Sequence, residues 1–123
     1  MTSADTDVLI DFLAGKGEAA TVEPLLRRGV LRTTVISRFE FLSGAENSKQ
    51  LGRLIELLEA VPSFALDEAA ADAASEIRKS LEAAGNSIGM ADSLIAGIVT
   101  SNSCPLLTRN RRHFERVPGI QLA

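Results

Sequence analysis

The sequence predicts an α/β fold, a single domain with a central parallel sheet and helices on both faces. Three observations carry this. Short segments able to form strands alternate with longer helical ones, the pattern of a parallel sheet covered on both sides. The 123 residues are 46% apolar, enough for one core and too few for two. Aromatic residues make up only 4%, without Trp or Tyr, so the core is aliphatic, and its Ala and Leu favour helix. Residues 1–123 read as one domain, with no internal repeat, linker or low-complexity tail.

A first strand is expected at Thr2–Asp5, although TSAD has poor strand propensity. Val8–Leu13 reads as the first helix, ended by Gly15 and Gly17. Glu18–Arg28 is a second, with Val22, Leu25 and Leu26 on one side and Gly29 closing it. Val30–Thr34 is a strand, and Ser37–Ser43 a helix carrying Phe39, Phe41 and Leu42 and stopped at Gly44. Lys49–Glu59 repeats Leu51, Leu54, Ile55 and Leu58 at helical spacing. Pro62 stops it, and Ser63–Leu66 can form a strand. Asp67 caps a long helix over Glu68–Ala84, with Ile77 and Leu81 inward. Gly85–Gly89 is a loop, and Met90–Ser101 a helix with Leu94, Ile95, Ile98 and Val99 facing in. Pro105–Thr108 is a strand, Arg111–Glu115 a short helix or turn, and Ile120–Leu122 a last strand after the Pro118-Gly119 turn.

The bulk properties narrow the function classes. A net charge of −3 argues against a sequence-blind nucleic-acid coat but leaves an RNA enzyme open, because local patches and metals decide. A single cysteine, Cys104, allows no internal disulfide and fits a reducing compartment. It precedes an apolar strand and reads as core, not as a nucleophile. The N-terminus has no secretion signal and no apolar run reaches membrane-spanning length. A cytoplasmic protein is the expectation.

Four polar residues share one structural context. Asp5 ends the first strand, and Asn110 follows the last long strand segment. Glu40 lies in the helix after strand two, and Asp92 in the first turn of an otherwise apolar helix. Ligand sites in open α/β sheets lie at the carboxyl ends of strands, where Asp5 and Asn110 belong. Carboxylates gathered there repel one another and lose hydration, costs that a divalent cation removes. Oxygen donors suit Mg²⁺ or Mn²⁺, whereas zinc would prefer His or Cys, and His113 and Cys104 show no zinc-like spacing. The logic is that of metal-assisted phosphodiester hydrolysis. Each residue also has a plain structural reading. Asp5 could cap the first helix, Glu40 could be a solvated helix residue, Asp92 could face its own helix dipole, and Asn110 could be a turn residue.

Four blocks now carry a resemblance: DTDVLIDFL, TTVISRFEFLSG, GMADSLIAGIVTSNSCPLLTRN and RRHFERVPGIQL. In order and spacing they resemble PIN-domain ribonucleases, specifically VapC-type toxins of type II toxin–antitoxin pairs, over nearly the whole chain. The resemblance implies a PIN-like fold and puts the family's acids at Asp5, Glu40 and Asp92 and its fourth position, Asp or Asn in relatives, at Asn110. It implies that Asp5, Glu40 and Asp92 hold Mg²⁺, or alternatively Mn²⁺, directly or through water. Thr6 and Thr108 fall on small polar positions that support the metal site. Asp7 stands where relatives often have Asn and would tune the site, with Asp11 a secondary candidate. Two departures stand out: the first strand, usually apolar, is TSA, and Asn110 leaves three carboxylates in the principal set.

The resemblance further implies cleavage of RNA, in tRNA or ribosomal RNA loops, leaving a 5′-phosphate and a 3′-hydroxyl. It implies a homodimer and inhibition by a small VapB-type antitoxin whose tail lies along the active groove. Beside Asn110 the sequence sets Arg109, Arg111, Arg112 and Arg116, candidates for RNA phosphates through their forked donors. The alternative is a solvated basic turn. Arg38 could face RNA or the antitoxin's tail, and His113 is either a structural residue or a substrate contact. Phe114 reads as core. Phe39, Phe41, Leu54 and Leu58 are the apolar residues available to an interface, with core packing the main expectation.

Two rivals follow from the same residues. DTDVL resembles the Asp-x-Asp start of haloacid-dehalogenase-like phosphatases. The lysines, however, lie only at positions 16, 49 and 79, and no Asp-Asp pair follows. The other rival is a PIN-like RNA- or protein-binding module without nuclease activity, against which the retention of all three acids argues.

Overall fold

The computed structural model describes residues 1–123. Its elements in chain order are β1 (Thr2–Ala4), α1 (Thr6–Ala14), α2 (Ala19–Arg27), β2 (Leu31–Thr34), α3 (Val35–Ser43), α4 (Ser48–Glu59), β3 (Ser63–Phe64), α5 (Glu68–Ala83), α6 (Met90–Ser101), β4 (Leu106–Leu107) and α7 (Arg111–Phe114). The four strands form one sheet in the order β3-β2-β1-β4, and every pairing is parallel. The chain builds outward from β1 to β2 and β3, then returns to add β4 on the other side of β1. The direction of winding therefore reverses between β1 and β4, the kind of switch point at whose carboxyl ends open α/β sheets bind ligands.

Helices cover both faces, as the apolar pattern predicts. On one side α1, α3 and α4 supply Val8, Leu9, Phe41, Leu54, Leu57 and Leu58 to a core that includes Leu107 of β4. On the other, Ile77 and Leu81 of α5, Ile95 and Val99 of α6, and Phe114 of α7 pack with Leu106. Adjacent residues of β4 thus serve opposite cores, as the alternation of strand side chains requires. Helices α5 and α6 approach closely at Gly97: a Cβ there would lie 2.6 Å from the Ala70 carbonyl oxygen, so no larger residue fits without moving α5.

The central strand is TSA, which propensity alone would reject. Its position decides the matter. Ser3 and Ala4 are fully buried, and the strand is paired on both edges, to Leu31–Arg32 and to Leu106–Leu107. The hydroxyl of Thr33 adds a 2.8 Å hydrogen bond to the Ala4 carbonyl oxygen, tying β2 to β1 beyond the ladder. Small side chains allow the helices on both faces to sit close to the sheet, and context overrides propensity.

Several expectations need correction. Strand β1 stops at Ala4, and the first helix starts at Thr6, two residues before Val8, because Asp5 already acts as its cap. The third helix likewise starts at Val35, before Ser37, because the Thr34 hydroxyl accepts from the Ser37 amide and caps it. Strands β3 and β4 are shorter than the expected Ser63–Leu66 and Pro105–Thr108. Ile120–Leu122 is not a strand: a single parallel bridge joins Leu122 to Leu106. On α4 the buried stripe is Leu54, Leu57 and Leu58, while Leu51 and Ile55 stay exposed. Among the four residues considered for an interface, Phe41, Leu54 and Leu58 are core and only Phe39 lies outside, 61% exposed. Cys104 and Phe114 are buried, as expected. No helix is long and apolar enough to cross a membrane.

Candidate active site

The site is built around Asp5. Leaving β1 in extended conformation, Asp5 caps α1: its Oδ1 accepts from the Thr6 amide at 2.9 Å. The same oxygen accepts from the Ser37 hydroxyl at 3.2 Å, and Oδ2 accepts from the Thr108 hydroxyl at 3.0 Å. The carboxylate is thus gripped from α1, α3 and the end of β4. The cap reading and the site reading of Asp5 describe one geometry, since the cap uses only part of Oδ1.

Thr6 extends the network. Its hydroxyl lies 3.2 Å from Glu40 Oε1 and 3.3 Å from the Ser37 carbonyl oxygen, a bridge from the start of α1 to α3. Ser37 and Glu40 are three residues apart on α3 and so share a face. Asp92, in the first turn of α6, pairs through Oδ2 with His113 Nδ1 at 3.0 Å. Asn110 is the cap residue of α7, and its backbone amide donates to the Thr108 hydroxyl at 3.0 Å. Thr108 therefore links the Asn110 backbone to Asp5. The Asn110 side chain itself makes no capping bond.

The electrostatics show how near these acids stand. Burial, above all, pushes Asp5 up from its ordinary value; hydrogen bonds from Thr6, Thr108 and Ser37 oppose this, and the charge of Asp92 adds to it. Burial likewise raises Asp7, with the charge of Asp5 behind it and Arg109 opposing. Glu40 is raised by burial and by Asp5, Asp92 and Asp7, against the Thr6 hydrogen bond. The charges of Asp5, Asp7 and Asp92 thus add to the burial that raises Asp5, Asp7 and Glu40. Such mutual perturbation marks functional sites.

The donor set is all oxygen apart from His113. Asp7 Oδ1 is buried and has no hydrogen-bond partner, an orphan atom beside a group of acids. These features fit a hard divalent cation. In this arrangement no three His, Cys, Asp or Glu side chains close on a single point as a preformed cage. Glu40 lies on an exposed stretch of α3 and is held by the Thr6 hydroxyl.

The remaining sequence candidates separate. Asp11 lies at the other end of α1 and is fully buried, where its Oδ2 accepts from the Glu18 amide at 3.1 Å. Arg109 Nε sits 3.4 Å from Asp11 and 3.9 Å from Asp7, and the Arg109 amide donates to Asp7 Oδ2. Arg111 donates to the Ala123 carbonyl oxygen at 2.7 Å, and Arg116 reaches the Asn86 side chain at 3.4 Å. Arg112 is exposed and takes part in no such contact. The sequence reading missed Ser37 as a site residue and used it only to mark a helix start. The available signal was its spacing: a hydroxyl one helical turn before Glu40, on the same face.

Comparison with known proteins identifies the family. The family model of the PIN domain matches residues 4–120, which include every acid described above. The chain belongs to the PIN-domain family. Within it, the relatives are VapC proteins. The tRNA(fMet)-specific endonuclease VapC of Shigella flexneri is 30% identical over 121 residues, covering 95% of this chain and 92% of the relative. Ribonuclease VapC1 of Methanocaldococcus jannaschii is 34% identical over 121 residues, covering 96% and 82%. The DNA-bound VapBC structure from Salmonella typhimurium superposes on this PIN domain with a TM-score of 0.82 at 29% identity, covering all of this chain and 98% of that one. VapBC-1 from nontypeable Haemophilus influenzae gives 0.81 at 27% identity, with 99% and 96% covered. The fold class and family expected from the four sequence blocks are those found.

Proposed function

We propose that this PIN domain, taken as one unit over residues 1–123, is a metal-dependent endoribonuclease and the toxin of a toxin–antitoxin pair. The observation that carries the reading is the hydrogen-bonded network around Asp5 at the β1–β4 reversal, where Ser37 and Thr108 hold its carboxylate, Thr6 meets Glu40, and burial together with the charges of Asp5, Asp7 and Asp92 raises Asp5, Asp7 and Glu40. The names of the relatives, endonuclease and ribonuclease, support the activity, and the VapBC complexes support a VapB-type antitoxin as partner. A second copy of the chain is the other expected partner. The RNA is of the structured kind, with tRNA favoured by the relatives' names and ribosomal loops as the other class.

Asp5, Glu40 and Asp92 would hold Mg²⁺ or Mn²⁺, with Asn110 as the neutral fourth position. Bound there, the cation supplies positive charge to a scissile phosphate and lowers the pKa of water. The chain's own residues do the positioning. Thr108 and Ser37 fix the two oxygens of Asp5 from opposite sides. Thr6 aligns Glu40 with that pair, and His113 restrains Asp92. Such partners one step removed from the cation orient its ligands. Arg112, exposed and uncommitted, is the arginine best placed to meet RNA backbone.

The test uses purified protein and total RNA with Mg²⁺, with Mn²⁺ and with chelator, followed by mapping of the new ends. Cleavage that requires the cation and leaves 5′-phosphates is expected. RNA binding without cleavage under every condition would instead support a binding module.

A further inference from the structure

Arg109 stands in the sequence as the first of four arginines that could meet RNA, yet its guanidinium, on a side chain 53% exposed, is engaged by carboxylates of the chain itself. Its guanidinium Nε lies 3.4 Å from Asp11 Oδ2, and the Asp11 carboxylate is only 2% exposed. Asp11 is itself fixed: Oδ2 accepts from the Glu18 amide at 3.1 Å. The loop wraps this carboxylate so tightly that a Cβ on Gly17 would lie 2.2 Å from Oδ2. On its other side, Arg109 Nε is 3.9 Å from Asp7 Oδ2, which also accepts from the Arg109 amide at 3.3 Å. The residues flanking Arg109 are both tied to Asp5. Thr108 donates to Asp5 Oδ2, and the Asn110 amide donates to Thr108.

We propose that Arg109 is a positioning residue for the carboxylate cleft and not an RNA contact: the buried Asp11 anchors its guanidinium against α1, and this fixes both Asp7 and the Thr108–Asn110 turn relative to Asp5. This rests on the nuclease reading for its catalytic consequence, but its structural part stands apart from it. Physically, Asp11 is a buried carboxylate whose partners are an amide and a guanidinium. Arg109 spans from it to Asp7 Oδ2, while the other oxygen of Asp7, Oδ1, has no hydrogen-bond partner. A planar guanidinium with several donors suits two carboxylates at once, which an ammonium serves less well. The clamp joins two parts of the chain about a hundred residues apart in sequence, the start of α1 and the turn after β4. Misplacing groups by about an ångström is enough to cost on the order of a hundred-fold in rate.

The experiment compares Arg109→Gln, Arg109→Lys, Asp11→Asn and the Arg109→Gln/Asp11→Asn double variant in the full chain. Three quantities are read: turnover at saturating RNA, RNA affinity across a salt series, and hydrogen exchange at the Asn110 amide relative to the Thr33 amide in β2. Arg109→Gln is expected to lower turnover roughly ten- to hundred-fold, with RNA affinity and its salt slope unchanged. Arg109→Lys should recover part of the loss, and the double variant should be no worse than the poorer single one. Exchange at Asn110 should quicken while Thr33 stays protected. A weaker RNA affinity with a flattened salt slope and unchanged turnover would overturn the proposal, making Arg109 a phosphate contact. Unchanged exchange at Asn110 would also overturn it. If the parent protein cleaves no RNA, the nuclease reading fails, and the exchange measurement still decides the clamp. If Arg109→Gln does not fold, Arg109→Lys and Asp11→Asn give the same readout.

Discussion

Asp5 and Asp11 lie six positions apart at the two ends of one helix, and both are buried, at 8% and 1% exposure. Their surroundings differ in kind. Asp5 is met by neutral donors only, an amide and two hydroxyls, and burial, with the charge of Asp92 behind it, pushes its proton affinity upward. Asp11 is met by an amide and by the guanidinium of Arg109. The first carboxylate is oriented but not neutralised; the second is neutralised where it stands. The opening MTSADTDVLID thus holds two kinds of buried acid, one that under the proposed function would meet an external cation and one paired within the chain. Asp7 lies between them in space as in sequence, with one oxygen toward Arg109 and the other without a partner.

The largest effects should fall on the side of Asp5. Asp5→Asn and Asp92→Asn should each keep the fold by circular dichroism and lose RNA cleavage by more than about a hundred-fold, beyond the effect of partners one step from a metal. Growth inhibition should fall with it. Activity equal to the parent at both limiting and saturating Mg²⁺ would break the comparison.

The side of Asp11 should respond in stability. Asp11→Asn weakens the bond to Arg109 and should cost about 1–3 kcal/mol in denaturant unfolding. Gly17→Ala should cost a similar amount, about 1–3 kcal/mol, because the residue has φ +55 and its new Cβ would meet the Asp11 carboxylate. If either variant were as stable as the parent, Asp11 would not be the anchor described.

A smaller effect separates the two ends by pH. Asp5, Asp7 and Glu40 all hold their protons more tightly folded than at the ordinary values of 3.8 for Asp and 4.5 for Glu. Between the ordinary and the raised values the folded chain binds more protons than the unfolded one. Stability without metal therefore falls as pH rises through that window, and the penalty is complete above it. Thermal midpoints in chelator from about pH 4.5 to pH 7 should show this contribution. Asp5→Asn should flatten it and added Mg²⁺ should offset it. A parent slope that neither change affects would remove the carboxylate cleft as its source.

The smallest effect concerns RNA. Arg112→Gln should reduce the salt slope of RNA binding by about 1, with little change in sequence preference. Arg111→Gln should change it less, since Arg111 already donates to Ala123. Equal slopes for both variants would show that internal contacts do not sort these arginines.

Much of the fold was legible because its signals are local. Asp67 caps α5 through the Ala70 amide, and Gly15 ends α1, as the residue types announce. Element order followed from alternation, and Asp5, Glu40, Asp92 and Asn110 were site candidates by type and place, sharpened by the family's spacing. What failed was what depends on distant neighbours. Period alone could not choose between Leu51 and Leu57 on α4, because several helix faces satisfy it and only the docked sheet selects one. Ile120–Leu122 had strand composition but found only one bridging partner, at the edge beyond β4.

The sequence by itself determined the helices and their caps, the aliphatic core, the family, and which residue types could hold a cation. These depend on backbone propensity, side-chain period and chemical identity, which act over a few residues. Only the tertiary structure decided that TSA is the central strand, that Ser37 and Thr108 grip Asp5, that Asp11 is buried, and that Arg109 pairs with Asp11 and Asp7 while Arg112 has no such partner. Those outcomes depend on burial and on the meeting of segments up to 103 residues apart, as between Asp5 and Thr108. A carboxylate's role is set by the charge and donors that surround it, and those arrive only when the chain closes.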